Sequence, residues 1–133
     1  MILYRPVGLK ELELIAQSGY TAFPPRLPEQ PIFYPVLNFD YAAQIAREWN
    51  TQRPPYAGFV TRFEVEQSYV EQFAVQTVGG RIHQELWVPA EQLDEFNRHI
   101  ISPITVEATY YGPQFQGDLD PQTNLPHHIS YNP

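Results

Sequence analysis

Fourteen prolines constrain the fold of this chain more than any other feature, because they make up about twice the usual share of roughly 5%. A proline fixes its own backbone angle φ and has no N–H to donate, so the pattern predicts short elements joined by long, stiff connections. The densest stretch, residues 21–36, contains Pro24, Pro25, Pro28, Pro31 and Pro35. A helix and a central strand are excluded there, and only residues 32–34 remain available for a brief edge strand.

Apolar spacing predicts three main helices. One apolar stripe with helical spacing runs through residues 8–18. A second helix is predicted to begin at the N-cap residue Asn38 and to bury Trp49 at the end of its stripe. Pro89 can open the third helix, because a proline is tolerated in the first helical turn. A shorter helix is expected at residues 66–73.

Strands are predicted where apolar and polar residues alternate, at residues 2–7, 58–65 and 104–111. Two further strands, at residues 74–78 and 81–88, can close a hairpin across the turn Gly79-Gly80. Together with the helices they predict an α+β fold with small, split, antiparallel-rich sheets. A chain of 133 residues fits one domain, which we place at residues 1–111.

Residues 112–133 differ in composition from the rest of the chain. They contain four prolines and two glycines and show neither helical nor alternating periodicity. A segment of this composition builds no core of its own. We therefore expect a tail that packs on the domain or on a neighbouring chain.

The charge balance argues against a nucleic-acid partner, because the formal net charge is −7 and only eight residues are Lys or Arg. The chain has no cysteine, which excludes disulfides, zinc fingers and thiol catalysis. No apolar run approaches the roughly 18 residues of a membrane span, and no signal-peptide pattern opens the sequence. We expect a cytoplasmic location and no membrane partner, and a homo-oligomer stays open.

Glu85, Arg5 and His83 are the candidates for chemistry, since phosphate loops, nucleophile elbows and zinc-protease motifs are all missing from the sequence. Glu85 lies on an apolar strand, where a carboxylate is costly to bury unless it is paired. Either its role is structural, as a partner of Arg5, Arg62 or Arg81 or as a residue at an exposed strand end, or it is a functional carboxylate that shares a cleft with Arg5. His83 and Glu85 lie on one strand face, but two ligands do not make a metal site, so no metal is predicted.

Within the proline-rich stretch, Pro25-Arg26-Leu27-Pro28 matches a polyproline recognition pattern. Two interpretations stay open. The segment is either a rigid loop that packs Phe23 and Leu27 on the body of the domain, or a ligand for an SH3-type domain.

Three segments carry a resemblance to a known family. They are Leu3-Tyr4-Arg5-Pro6-Val7-Gly8, Phe23-Pro24-Pro25-Arg26-Leu27-Pro28-Glu29-Gln30-Pro31-Ile32-Phe33-Tyr34-Pro35-Val36 and Ala43-Gln44-Ile45-Ala46-Arg47-Glu48-Trp49. Over about residues 3–108 the chain resembles a family of small, uncharacterised bacterial proteins often labelled "ADP-ribosylation/crystallin J1". The order of elements, from a first strand with Arg to a late His-x-Glu strand, is similar to the ADP-ribosyltransferase fold.

The resemblance implies a site for nicotinamide adenine dinucleotide (NAD). The implied cofactor-binding residues are Arg5, Tyr34, Phe33 and Arg26, and the implied catalytic residues are Glu85 and His83. Arg5 would hold the dinucleotide, and Tyr34 would support its nicotinamide side. Glu85 would stabilise the positive charge that develops at the ribose, and His83 would stand where many transferases orient the acceptor.

The leading functional hypothesis is therefore binding of NAD or a related nucleotide, with ADP-ribosyl transfer or NAD hydrolysis. The alternative is a non-catalytic interaction module that uses the proline-rich residues 23–35 or the tail at residues 112–133. Three departures from the transferase pattern fit a divergent enzyme and a non-catalytic relative equally well. The Ser-Thr-Ser strand is missing, His83 replaces the usual Glu or Gln, and five prolines crowd the segment that would carry the second motif. A cleft that holds both Arg5 and Glu85 would favour the first hypothesis.

Overall fold

The computed structural model describes residues 1–131, which form four α-helices and seven short strands. Residues 132–133, the end of the predicted tail, lie outside it. The strands are β1 (Ile2–Val7), β2 (Ile32–Phe33), β3 (Ala57–Glu64), β4 (Val75–Thr77), β5 (Gln84–Leu86), β6 (Val88–Pro89) and β7 (Thr105–Tyr111). The α-helices are α1 (Leu9–Gln17), α2 (Phe39–Glu48), α3 (Gln67–Val70) and α4 (Leu93–Arg98). The predicted α+β class is confirmed.

The strands pair antiparallel in three small sheets, with the orders β1-β3-β7, β2-β6 and β4-β5. The predicted hairpin is present, because β4 pairs with β5. Val36 joins two of the sheets, since it forms one antiparallel bridge to Tyr4 of β1 and another to Glu85 of β5. Neighbouring strands lie about 4.8 Å apart, so the backbones of β1 and β5 are separated by roughly 10 Å.

The sheet that contains β1 and β3 is covered on both faces. On one face, Leu3 and Val7 of β1 pack with Leu12 and Ile15 of α1 in the larger hydrophobic cluster. On the other face, Val60 of β3 packs against the alanines of α2. Because side chains alternate along a strand, Arg5, which lies between Leu3 and Val7, also points to the α1 face. The charge of this arginine is buried and therefore has to be paired.

Asn38 begins α2 as the sequence predicted. Its side-chain oxygen accepts a hydrogen bond of 2.8 Å from the backbone N–H of Tyr41. Its side-chain nitrogen donates to the carbonyl oxygen of Ile82 at 2.7 Å, which ties the first turn of α2 to the β4-β5 hairpin. The cap therefore places Tyr41 beside β5.

The prediction that Trp49 is buried was wrong, and of the two interpretations left open for the proline-rich segment, the one that packs Leu27 on the body of the domain is not realised. Trp49 is 60% exposed, because α2 ends at Glu48 and the last position of its apolar stripe lies beyond the helix. Leu27 is 56% exposed, since the loop turns at this point through a hydrogen bond from the Gln30 N–H to the Leu27 carbonyl. Phe23, by contrast, is buried as expected.

Residues 112–131 pack against the domain. Leu125 and Ile129 belong to the larger hydrophobic cluster, together with residues of β1 and α1. The hydroxyl of Tyr131 accepts a hydrogen bond of 2.9 Å from the N–H of Val106 in β7. This part of the chain therefore contributes to the core, although its composition gives it no periodic element.

The helices within residues 1–131 are short, with ten residues in α2. None of them combines the length and the apolar composition that a membrane crossing needs.

Candidate functional site

A cleft opens beside β1 where Val36 bridges across to β5. Its volume is about 440 Å³, within the range of roughly 300–1,000 Å³ that small-molecule sites occupy. The residues that line it are Arg5, Pro6, Tyr34, Val36, Ile45, Glu85 and Trp87. Three residues that the sequence singled out, Arg5, Tyr34 and Glu85, therefore lie in one cleft.

The Glu85 carboxylate points into this cleft, because Leu86 and Val88 take the core-facing positions on either side of Trp87. One carboxylate oxygen accepts a hydrogen bond of 2.8 Å from the Tyr41 hydroxyl. The other accepts a hydrogen bond of 2.8 Å from the indole N–H of Trp87. Both donors are neutral, so they fix the orientation of the carboxylate without compensating its charge.

The predicted structural pairing of Glu85 is not formed. Among residues 1–131 the ion pairs join Arg5 to Glu11, Arg47 to Glu48 and His128 to Glu13. Neither Arg62 nor Arg81 contacts Glu85 within this range. Of the two interpretations that the sequence left open, the structure favours a carboxylate that faces a cleft.

Tyr41 is held protonated by its surroundings. Burial raises its pKa to about 12, with further contributions from the hydrogen bond to Glu85 and from the charge of that carboxylate. At neutral pH the phenol therefore remains a hydrogen-bond donor to Glu85. Sequence spacing did not indicate this contact, which depends on how the first turn of α2 lies over β5.

Arg5 has its own carboxylate partner within the fold. Its Nε atom lies 2.6 Å from one oxygen of Glu11 in the first turn of α1, and its Nη2 atom lies 2.9 Å from the other. The centre of the guanidinium lies 4.6 Å from the centre of the Phe33 ring, in a cation–π contact. The residue is only 7% exposed. Glu11 thus compensates the charge that the sequence analysis had assigned to a ligand.

Pro6 leaves the Tyr34 carbonyl without a backbone donor, and Arg5 takes that place. The Tyr4–Val36 pair exchanges both of its backbone hydrogen bonds, and the next such pair in an antiparallel ladder would be Pro6 and Tyr34. Proline has no N–H to donate. The Nη1 atom of Arg5 instead donates to the Tyr34 carbonyl at 3.3 Å. One N–H on each terminal nitrogen of Arg5 remains for a ligand.

Arg26 adds a positive charge near the Arg5 end of the cleft. Its Nε atom donates to the Ile32 carbonyl at 3.0 Å, which holds the side chain along the proline-rich segment. Burial and, second, the nearby Arg5 guanidinium lower the pKa of Arg26, whereas Glu11 and Tyr34 raise it. Arg26, which the sequence had assigned to the cofactor site, is not among the residues that line the cleft, so its charge acts on this end from outside the lining.

His83 lies in a second, adjacent cleft of about 470 Å³, which also contains Tyr41, Gln44 and Trp49. Its Nδ1 atom accepts a hydrogen bond of 2.9 Å from the Gly80 N–H, so the proton of the neutral ring is on Nε2. Nε2 lies 3.0 Å from the side-chain oxygen of Gln44 and donates to it. The structure therefore separates His83 from the cleft of Glu85, and Tyr41 contacts both residues.

Aromatic rings form walls of the Arg5–Glu85 cleft. The pairs Phe33–Val88 and Val36–Glu85 set a register in which Tyr34 lies opposite Trp87. The two side chains are 40% and 45% exposed. Phe33, which the sequence had placed in the cofactor site, is fully buried beneath Arg5 and cannot touch a ligand. Trp87 takes the place that the sequence had given to Phe33.

No family model, no curated protein and no solved structure matches this chain significantly. The family resemblance stated from the sequence therefore stays a hypothesis.

Sequence reasoning missed three residues of this site. Glu11 could have been found as a carboxylate in the first turn of the helix that follows the Arg5 strand. Tyr41 was detectable only as a polar ring next to the predicted cap, and Trp87 only as a residue that alternates with buried neighbours. Sequence features of this kind are common on solvent-facing surfaces. None of them indicates a binding site until the tertiary structure is known.

Proposed function

We propose that the cleft between Arg5, Tyr34 and Glu85 binds NAD or a related nucleotide, and that Glu85 promotes ADP-ribosyl transfer or NAD hydrolysis there. The observation that carries the proposal is the placement of these three side chains around one cleft. An arginine, an exposed aromatic ring and a carboxylate match a phosphate, a flat ring and a developing positive charge, respectively.

The charges at the two ends of the cleft support this ligand. Glu11 compensates Arg5, and Arg26, held on the Ile32 carbonyl outside the cleft lining, adds a positive charge near the Arg5 end. Glu85 supplies a negative charge at the other end, where its hydrogen-bond donors are neutral. NAD has the complementary polarity, because its pyrophosphate is anionic and its nicotinamide ring is cationic.

In the proposed reaction the bond between nicotinamide and the ribose carbon breaks, and its electron pair leaves with the nicotinamide. The ribose carbon then carries positive charge, which the Glu85 carboxylate stabilises across the cleft. An acceptor group or a water molecule forms the new bond at that carbon and releases one proton to the solvent. Tyr41 and Trp87 hold the carboxylate in place throughout.

An ADP-ribosyltransferase-like arrangement is supported by the order of elements, from the Arg5 strand β1 to the Glu85 strand β5. A cytoplasmic, bacterial setting with a small nucleotide as the partner belongs to the same proposal.

Isothermal titration calorimetry with NAD tests the binding step. We expect heat of binding for the wild type and for Glu29→Gln, which removes an exposed charge in the proline-rich loop. We expect Glu85→Gln to bind NAD but to release nicotinamide roughly 100-fold more slowly, because a group that stabilises transition-state charge is typically worth that much. Chromatography of nicotinamide measures the release.

Two results would contradict the proposal. One is the absence of any heat with millimolar NAD for the wild type. The other is nicotinamide release that is equal in the wild type and in Glu85→Gln. Arg5→Ala is a poor probe of ligand binding, because it leaves Glu11 without its partner inside the fold.

The non-catalytic alternative is favoured by one observation, the exposure of Leu27 between exposed prolines. A Pro25-Arg26-Leu27-Pro28 segment with Leu27 exposed can bind an SH3-type domain, whereas a segment that packs Leu27 on the body of the domain cannot. Titration of a panel of purified SH3 domains with the wild type and with Leu27→Ser separates the two functions. The alternative requires binding that Leu27→Ser abolishes and Glu85→Gln leaves unchanged.

A further inference from the structure

The charges around the Arg5–Glu85 cleft are compensated unequally. The guanidinium of Arg5 meets the carboxylate of Glu11 through two nitrogens, so this pair carries no net charge. The carboxylate of Glu85 meets a phenol and an indole, which carry no charge. Among the residues that line the cleft, Glu85 is therefore the group whose charge is left for a ligand to compensate.

The surroundings of Glu85 suit a flat cation. Trp87 donates its indole N–H to the carboxylate, which holds the indole ring directly beside the negative charge. Tyr34 lies opposite Trp87 across the strand pair, and both rings are partly exposed. The faces of such rings attract cations, and a neighbouring carboxylate adds Coulomb attraction. An anion at the same place would be repelled by Glu85.

We infer that the Glu85 end of the cleft is selective for a positively charged planar heterocycle and discriminates against a neutral ring of the same shape. The inference rests on the proposed function only for the choice of a pyridinium ring as the cation. The charge preference itself follows from the Glu85 carboxylate, whichever molecule carries the ring, and Trp87 and Tyr34 provide the flat walls that favour a planar ligand.

Two small probe molecules isolate the effect of the ring's charge on affinity. Nicotinamide and 1-methylnicotinamide share one planar ring and one amide, and they differ in a methyl group and in a positive charge on the ring nitrogen. Their affinities for the wild type can be measured by calorimetry or by NMR titration. We expect 1-methylnicotinamide to bind at least about tenfold more tightly, as a carboxylate and two aromatic rings acting together suggest.

Two variants test the assignment to particular side chains. Glu85→Gln is expected to remove the charge preference, so that both probes bind equally, whereas the control Glu29→Gln retains it. Tyr34→Ala is expected to weaken binding of both probes and to keep the preference, because the carboxylate remains. Circular dichroism confirms that each variant is folded before it is titrated.

The outcomes separate this inference from the proposed function. Equal affinity of the two probes for the wild type, no binding of 1-methylnicotinamide, or a preference that survives in Glu85→Gln would overturn the inference, even if NAD binds. A charge preference that Glu85→Gln removes supports the inference, even if NAD itself fails to bind and the proposed function is lost.

Discussion

Arg5 is the residue whose interpretation the fold changed most. The resemblance gave it a ligand-holding role, but Glu11 and the Tyr34 carbonyl already accept hydrogen bonds from all three of its nitrogens. A buried arginine is costly unless it is paired, so the ion pair with Glu11 is a requirement of the β1–α1 packing. What is left for a ligand is a partly engaged guanidinium at one end of a cleft.

Arg5→Ala is expected to lower the free energy of unfolding by roughly 3 kcal/mol. This value is at the lower end of the range for breaking a buried ion pair, because Glu11 keeps some access to solvent. Urea unfolding followed by circular dichroism measures the loss. The exposed Arg53→Ala is the matched control and should change stability by less than about 0.5 kcal/mol. Equal effects of the two substitutions would show that the Arg5–Glu11 pair contributes nothing.

At the scale of elements, the close approach of α2 to β3 sets one wall of the site. Gly58 of β3 faces the end of α2, and a Cβ atom there would lie 2.9 Å from the carbonyl carbon of Ala46 and 2.8 Å from Asn50 Cβ. The missing side chain lets the helix pack directly on the strand. This packing positions Tyr41 to donate its hydrogen bond to Glu85, and it positions Ile45 to line the cleft.

Gly58→Ala is therefore expected to destabilise the protein by about 2–3 kcal/mol, as overpacking against a backbone carbonyl does. Thermal unfolding by calorimetry measures the change. Gly8→Ala is the control, since the nearest atom to its Cβ would be Asn50 Nδ2 at 3.8 Å. Gly8 also has a negative φ of −84°, which alanine adopts, so we expect a loss below about 1 kcal/mol. A loss at Gly58 no larger than that at Gly8 would contradict the close packing of α2.

Across the whole molecule, the C-terminal segment closes the core that the helices and sheets leave open. Leu125 is fully buried and Ile129 nearly so, in the same cluster as β1 and α1. Hydrogen bonds from Tyr20 to the Ser130 carbonyl and from Val106 to Tyr131 fix this segment at two further points. The segment reaches back to the helix that carries Glu11, so it also supports the site.

Leu125→Ala is expected to cost about 3 kcal/mol of stability, as truncation of a fully buried leucine does. Leu27→Ala makes the same chemical change at an exposed position and should cost less than about 0.5 kcal/mol. The comparison by urea unfolding is direct because both leucines lie outside regular elements. Equal, small losses for both variants would show that the segment packs only loosely.

The sequence by itself determined the elements. Alternation and helical spacing located β1, β3 and α2, and Asn38 marked the start of α2, because these signals depend on neighbouring residues and on the backbone alone. The proline-rich stretch was recognised as irregular for the same reason. Glu85 was predicted to lie on an apolar strand, and it lies on β5 beside the buried Leu86.

Only the tertiary structure decided the contacts. Periodicity shows which face of an element is apolar, but it does not show which other element covers that face. For this reason the partner of Arg5 proved to be Glu11, the partner of Glu85 proved to be Tyr41, and Trp49 proved to be exposed. Such pairs join residues whose spacing carries no local signal, and their energies arise only when packing excludes water around them.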